Sequence, residues 1–123
     1  MTLKEPPIDN DPSHLWPPFY QRIQTLFDAL IKRGFDPKIF EGKRSQERQD
    51  WLYGYGRTHH KGCKPITWTR ESKHLVGKAV DVISKKSLWA SSAFYTALRE
   101  EVEKISGIGT LYPAESCHVQ WNG

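Results

Sequence analysis

The sequence has little of what several protein classes require. Among 123 residues there are two cysteines, Cys63 and Cys117, too few for a disulfide scaffold. No CxxC pair occurs, so a structural Cys/His zinc site would have to draw on His59, His60, Cys63, Cys117 and His118. No apolar run approaches the roughly 18 residues needed to cross a membrane, so no membrane span is expected. The opening stretch MTLKEPPIDNDPSH carries acids and prolines where a secretory leader needs an apolar core, so no signal peptide is expected. There is no internal repeat and no low-complexity segment. Basic residues are scattered, and the densest cluster is the pair Lys85-Lys86. That falls short of the basic stripe of a dedicated nucleic-acid binder, and no nucleic-acid partner is expected.

What is present suits one soluble domain. Hydrophobic residues make up 37% and charged residues 26%, and a chain of this length can bury enough surface to fold alone. The net charge of +4 favours an anionic partner such as a nucleic acid, a membrane surface or a cell-wall polymer, without choosing among them.

Residues 1–17 read as an irregular N-terminal arm and 18–123 as a single domain. After Pro17-Pro18, residues Phe19, Ile23, Leu26, Phe27, Leu30 and Ile31 recur at helical spacing, and Gly34 suits the C-terminal cap. A short strand is expected at Lys38–Glu41, then a helix from the N-cap Ser45 to about Tyr55, packed by Trp51, Leu52 and Tyr55. Gly54, Gly56 and Gly62 mark a loop. Strands are expected at Pro65–Thr69 and Ala79–Ile83, and a long helix from Ser87 to Ile105 with Leu88, Phe94, Ala97, Leu98, Val102 and Ile105 inward. Two final strands are expected at Ile108–Tyr112 and Cys117–Trp121. Without βαβ repetition this order predicts an α+β fold with a small, mainly antiparallel sheet and flanking helices.

The chemistry concentrates in Ser72-Lys-His74-Leu-Val-Gly77-Lys-Ala79-Val-Asp81 and Glu115-Ser-Cys-His118-Val-Gln-Trp121. Catalytic zinc takes three protein ligands and leaves a position for water, and His74, Asp81 and His118 would supply two imidazoles and a carboxylate. Strand alternation sets Ala79, Asp81 and Ile83 on one face and Val80 and Val82 on the other. A hydrolytic site also needs a base, and Glu115, placed in the turn before the last strand, is the candidate. Spacing alone leaves the plainer alternative open, a loop His–Asp hydrogen bond. His59 and His60 are expected in a solvated loop. Trp68 and Trp121 are candidate walls of a substrate groove or plain core residues.

Ser-x-His-x-x-Gly-x-Ala-x-Asp followed by Glu-x-x-His resembles the signature of the M15 metallopeptidases. These include D-Ala-D-Ala dipeptidases and carboxypeptidases and phage L-alanyl-D-glutamate endopeptidases. The stretch Glu41-Gly-Lys-Arg44-Ser-Gln-Glu-Arg48-Gln49, with Leu52-Tyr53, Gly56-Arg57-Thr58 and Ile66-Thr67, is similar to the segment that precedes the family's zinc motif. The resemblance covers roughly residues 20–121.

It implies the zinc peptidase fold shared with the Hedgehog signalling domain, Zn2+ on His74, Asp81 and His118, and Glu115 as general base. It sets Arg44 at the developing oxyanion, where the alternative is a salt bridge to Glu41 or Glu47. Ser72 would bond substrate or cap a turn, and Trp121 would floor the groove. The implied function is hydrolysis of a peptidoglycan stem peptide, most simply between L-Ala and D-Glu. The alternatives are a D-Ala-D-Ala carboxypeptidase or dipeptidase, and a non-catalytic zinc-containing binding module. The chain is further expected to be a monomeric endolysin of a bacteriophage or prophage. It would be made in the cytoplasm of the infected bacterium, with Cys63 and Cys117 reduced, and would act on the wall after release. Cys117 beside a ligand, Lys85-Lys86 soon after Asp81, and the short stretch from Asp81 to His118 depart from the family pattern.

Overall fold

A computed structural model describes residues 5–55, 57–59, 72–111 and 115–122. Helix α1 spans Pro17–Lys32, strand β1 Pro37–Glu41, helix α2 Gln46–Gly54, strand β2 Ala79–Ser84, helix α3 Ser92–Glu103, strand β3 Ile108–Leu111 and strand β4 Glu115–Trp121. The strands form one sheet in the order β1-β2-β4-β3, each neighbouring pair antiparallel. This is the α+β class expected. Among the described residues no helix is long and apolar enough to cross a membrane.

One face of the sheet is covered by α1 and α3. Phe19, Ile23, Leu26 and Leu30 of α1 meet Phe94, Ala97, Leu98 and Val102 of α3 over Val80, Val82 and Val119. Burying each of those valines contributes about 1.5–3 kcal/mol. Two prolines open α1, whose spare first-turn N–H groups make proline harmless there. Ile31, expected on the buried stripe, is 58% exposed, because the stripe runs through positions 19, 23, 26 and 30 and Ile31 lies beyond its edge. The segment before α1 is irregular apart from a 3₁₀ turn at Pro12–His14, and it buries Leu15 in the core.

The second long helix is shorter than its periodicity predicts: α3 begins at Ser92, not Ser87. Local bonds compete with helix over 84–91. Ser84 Oγ accepts from Ser87 N at 3.1 Å and donates to Asp36 at 2.6 Å, and Asp36 also accepts from Lys86 N at 2.8 Å. Leu88 has φ of 51°, outside the helical region, and is exposed. Ser91 then caps α3 by accepting from Phe94 N. The expected strand at Pro65–Thr69, with Gly56, Gly62, His60, Cys63 and Trp68, lies outside the described residues.

Candidate metal centre

Three pieces of backbone bring the expected ligands together. His74 rides on a 3₁₀ turn, Lys73–Val76, whose N-cap Ser72 accepts from His74 N at 3.2 Å. The observed task of the Ser72 hydroxyl is therefore to cap that turn. The turn ends at Gly77, where φ is +70° and a Cβ would meet the His14 carbonyl at 2.8 Å, so only glycine fits. Asp81 lies on β2 and His118 on β4, where the two are register partners. Alternation puts both on the face opposite Val80, Val82 and Val119.

The ligand atoms converge. His74 Nε2 and His118 Nδ1 each lie 3.5 Å from Asp81 Oδ1. One ligand atom from each residue lies within 4.8 Å of the others, and this is the one such group among the described residues. His74 and His118 are 1% and 4% exposed. Each ligand is held from behind. His74 Nδ1 donates to the Gly42 carbonyl at 2.6 Å, which leaves Nε2 with its lone pair facing Asp81. His118 Nε2 donates to Gln120 Oε1 at 3.0 Å, leaving Nδ1 facing inward. Asp81 Oδ2 accepts from Arg44 Nη2 at 3.0 Å, leaving Oδ1 for the centre. Buried His74 Nε2 has no hydrogen-bond partner of its own. Three acceptor atoms turned toward one buried point repel one another unless a cation sits among them, and two imidazoles with a carboxylate suit zinc. Burial alone would push the Asp81 carboxyl up. In the metal-free centre, ring protons of His118 and His74 turned toward it, with the Arg44 charge, outweigh that and hold the carboxyl well below the usual range, so it is already anionic when a cation takes the place of those protons.

Arg44 makes the salt bridge to Glu41 that is the alternative to an oxyanion role, with Nε 3.1 Å from Glu41 Oε1, and it makes a contact not expected from sequence, Nη2 to Asp81. Nη1 donates to Gln49 Oε1 at 3.0 Å. Glu41 also accepts from Arg48 Nε at 2.9 Å. Glu41, Arg48 and Gln49 belong to the segment that resembles the family's, but no sequence pattern marks them as buried together. The available signal is negative: α2 has no apolar stripe, so any face it buries must include polar side chains.

Three sequence expectations are corrected. Glu115 does not lie in a turn before the last strand; it is the first residue of β4, paired with Leu111. The register breaks between Thr110 and Leu111, where Val119 and Glu115 oppose successive residues, so strand alternation does not carry from His118 to Glu115. Trp121 does not floor the groove. Its odd spacing from His118 sets it on the other face, where it packs edge-on to Trp16 at 5.0 Å and under Arg22. A cleft of about 480 Å³ beside the centre is lined instead by Phe40, Arg44, Trp51, Tyr55, Asp81, Trp89 and Cys117. His59 is not a solvated loop residue: it stacks on Trp51 at 4.7 Å, with Nε2 2.7 Å from the Trp51 carbonyl.

Comparison with known proteins gives this arrangement its relatives. Residues 13–118 match the family model described as VanY, D-alanyl-D-alanine carboxypeptidase. The chain is 38% identical over 86 residues to the peptidoglycan L-alanyl-D-glutamate endopeptidase CwlK of Bacillus subtilis (strain 168). That match takes in 68% of this chain and 48% of CwlK, so the chain spans about half the length of that relative.

Two solved structures share its fold. The vancomycin-resistance D,D-pentapeptidase VanY from a VanB-type cassette, solved as a mutant with Zn(II), aligns with a TM-score of 0.70 at 21% identity, over 89% of this chain and 73% of that one. The L-Ala D-Glu endopeptidase ChiX of Serratia marcescens aligns with a TM-score of 0.64 at 19% identity, over 89% and 82% of the two chains. The family match runs through the His74 turn, β2 and β4 as far as His118, and on that ground the chain belongs to the VanY D-alanyl-D-alanine carboxypeptidase family.

Proposed function

We propose that this chain is a zinc-dependent peptidoglycan peptidase that hydrolyses the stem peptide between L-Ala and D-Glu. The observation that carries the reading is the convergence of His74 Nε2, Asp81 Oδ1 and His118 Nδ1, each backed by its own partner, beside a cleft. Zinc bound there would polarise the scissile carbonyl and acidify the attacking water. Glu115 takes the proton from that water and hands it to the departing amine. Arg44 keeps a fixed cation at the edge of the cleft, where charge develops on the carbonyl oxygen, and at the same time holds Asp81 in its ligand geometry. Ser72 acts indirectly by holding the His74 turn.

The choice of bond is supported by the likeness to CwlK and ChiX. A net charge of +4 suits an anionic wall polymer. We read the chain as a monomeric endolysin of phage or prophage origin, held in the cytoplasm of the producing cell until release, a setting that suits reduced cysteines. A second reading, removal of a terminal D-Ala, is favoured by the description of the matched family.

The test offers zinc-loaded protein intact sacculi and a stem pentapeptide ending in D-Ala-D-Ala, side by side. New D-Glu amino termini, identified by mass spectrometry, support the endopeptidase. Efficient release of D-Ala without such termini would replace it by the carboxypeptidase.

A further inference from the structure

The cleft has two kinds of lining. Glu5, Glu41, Arg44, Arg48 and Asp81 bring charge, and Glu41, Arg44, Arg48 and Asp81 interlock. Ile8, Phe40 and Trp89 line the same cavity and bring none. Trp89 meets the Phe40 ring edge-to-face at 4.9 Å and is still 50% exposed, and Ile8 is 40% exposed. Single exposed apolar residues need no explanation. Three sharing one cavity with a metal centre form a surface for an apolar ligand face.

The chain also holds Trp89 deliberately. Leu88, immediately before it, is the sole non-glycine residue with positive φ among the described residues. Such a backbone costs about 1–3 kcal/mol and persists only where its surroundings over-determine it. They do so here. Ser84 and Leu88 exchange backbone bonds at 2.9 and 3.3 Å, and Lys85 N donates to the Asp36 carbonyl at 2.8 Å. The Asp36 carboxylate holds Ser84 Oγ and Lys86 N.

We propose that Trp89 is a specificity-determining residue, positioned by the Asp36-clamped turn, that stacks on the apolar C–H face of the amino sugar to which the stem peptide is attached. The inference rests on the peptidase reading above. Its chemical ground is the contrast in charge: the peptide on the D-Glu side of the bond bears carboxylates, which suit Arg44 and Arg48. On the other side lie one alanine, the lactyl ether bridge and then the uncharged pyranose, whose C–H face matches the uncharged aromatic lining.

The test measures kinetics on two soluble substrates, a muramyl peptide containing the L-Ala–D-Glu bond and the same peptide without sugar. Wild type should show the lower KM on the sugar-bearing substrate. Trp89→Ala should raise that KM by about three- to tenfold, the range of one aromatic contact, with kcat and the sugar-free KM unchanged. Trp89→Phe should keep part of the difference. Asp36→Ala, which frees the turn, should show the same sugar-specific rise. An equal rise on both substrates, or no change in either, overturns the assignment. Cleavage of neither substrate by wild type would sink the peptidase reading instead. Calorimetric titration with N-acetylmuramyl-L-Ala-D-Glu then decides this inference separately: a Kd raised about three- to tenfold by Trp89→Ala supports it, and an unchanged Kd overturns it.

Discussion

Strands β2 and β4 present two unlike faces on the same backbone. On one, Val80, Val82 and Val119 are sealed by α1 and α3. On the other, one residue along, Asp81 and His118 turn acceptor atoms toward each other and toward His74. The first face gains free energy from leaving water. The second contributes little to folding until a cation enters it, and its geometry is maintained by Gly42, Gln120 and Arg44. The contrast shows how a rigid apolar layer can steady a polar site that could not steady itself.

The comparison can be broken from either side. The largest effect is expected from Glu115→Gln, which should cut turnover by about 10²–10⁴-fold while zinc content and unfolding midpoint stay at wild-type values. Cell-wall hydrolysis at the wild-type rate would remove Glu115 from the mechanism. Next, zinc at a thousandfold excess over its Kd should stabilise the metal-free protein by about 4 kcal/mol in chemical denaturation, and His74→Ala should lose that increment. Val82→Ala should cost about 2 kcal/mol through lost methyl burial and a small cavity. It should leave the zinc increment intact, and an increment that shrank would show that the two faces are coupled through the strand.

The smallest effect lies away from both faces. Glu101 is held below its ordinary range by Lys104 and then by Arg33, with contacts of 3.0 and 2.9 Å. A lowered folded pKa gives stability that is complete above the unfolded value of about 4.3 and is lost as pH falls through the folded one. Denaturation between pH 3 and 7 should therefore show a shallower acid decline for Glu101→Gln than for wild type.

Much of this was legible in the chain, for local reasons. The α1 stripe, the Ser45 cap of α2 and the alternation of 79–83 depend on near neighbours, and each forms as its pattern predicts, Ile31 at the edge of the stripe excepted. The identity of the three converging residues was readable from motif order. So was the face of Trp121, in its odd spacing from His118, though its aromatic character suggested a groove wall.

Other features depend on contacts that no short window contains. Asp36 lies 48 residues from Ser84, yet its carboxylate helps turn a predicted helical start at 87–91 into the clamp that presents Trp89. The Gly42 carbonyl lies 32 residues from the imidazole whose tautomer it sets. The sequence by itself determined which side chains are available and which strand face each occupies, because periodicity and capping act over a few residues. Only the tertiary structure decided that three acceptors meet at one point, that Glu41 and Arg48 are buried together, and that β4 breaks register between Glu115 and Val119. Those outcomes follow from strand pairing and packing between segments distant in the chain, where the energy of a contact has no local signature.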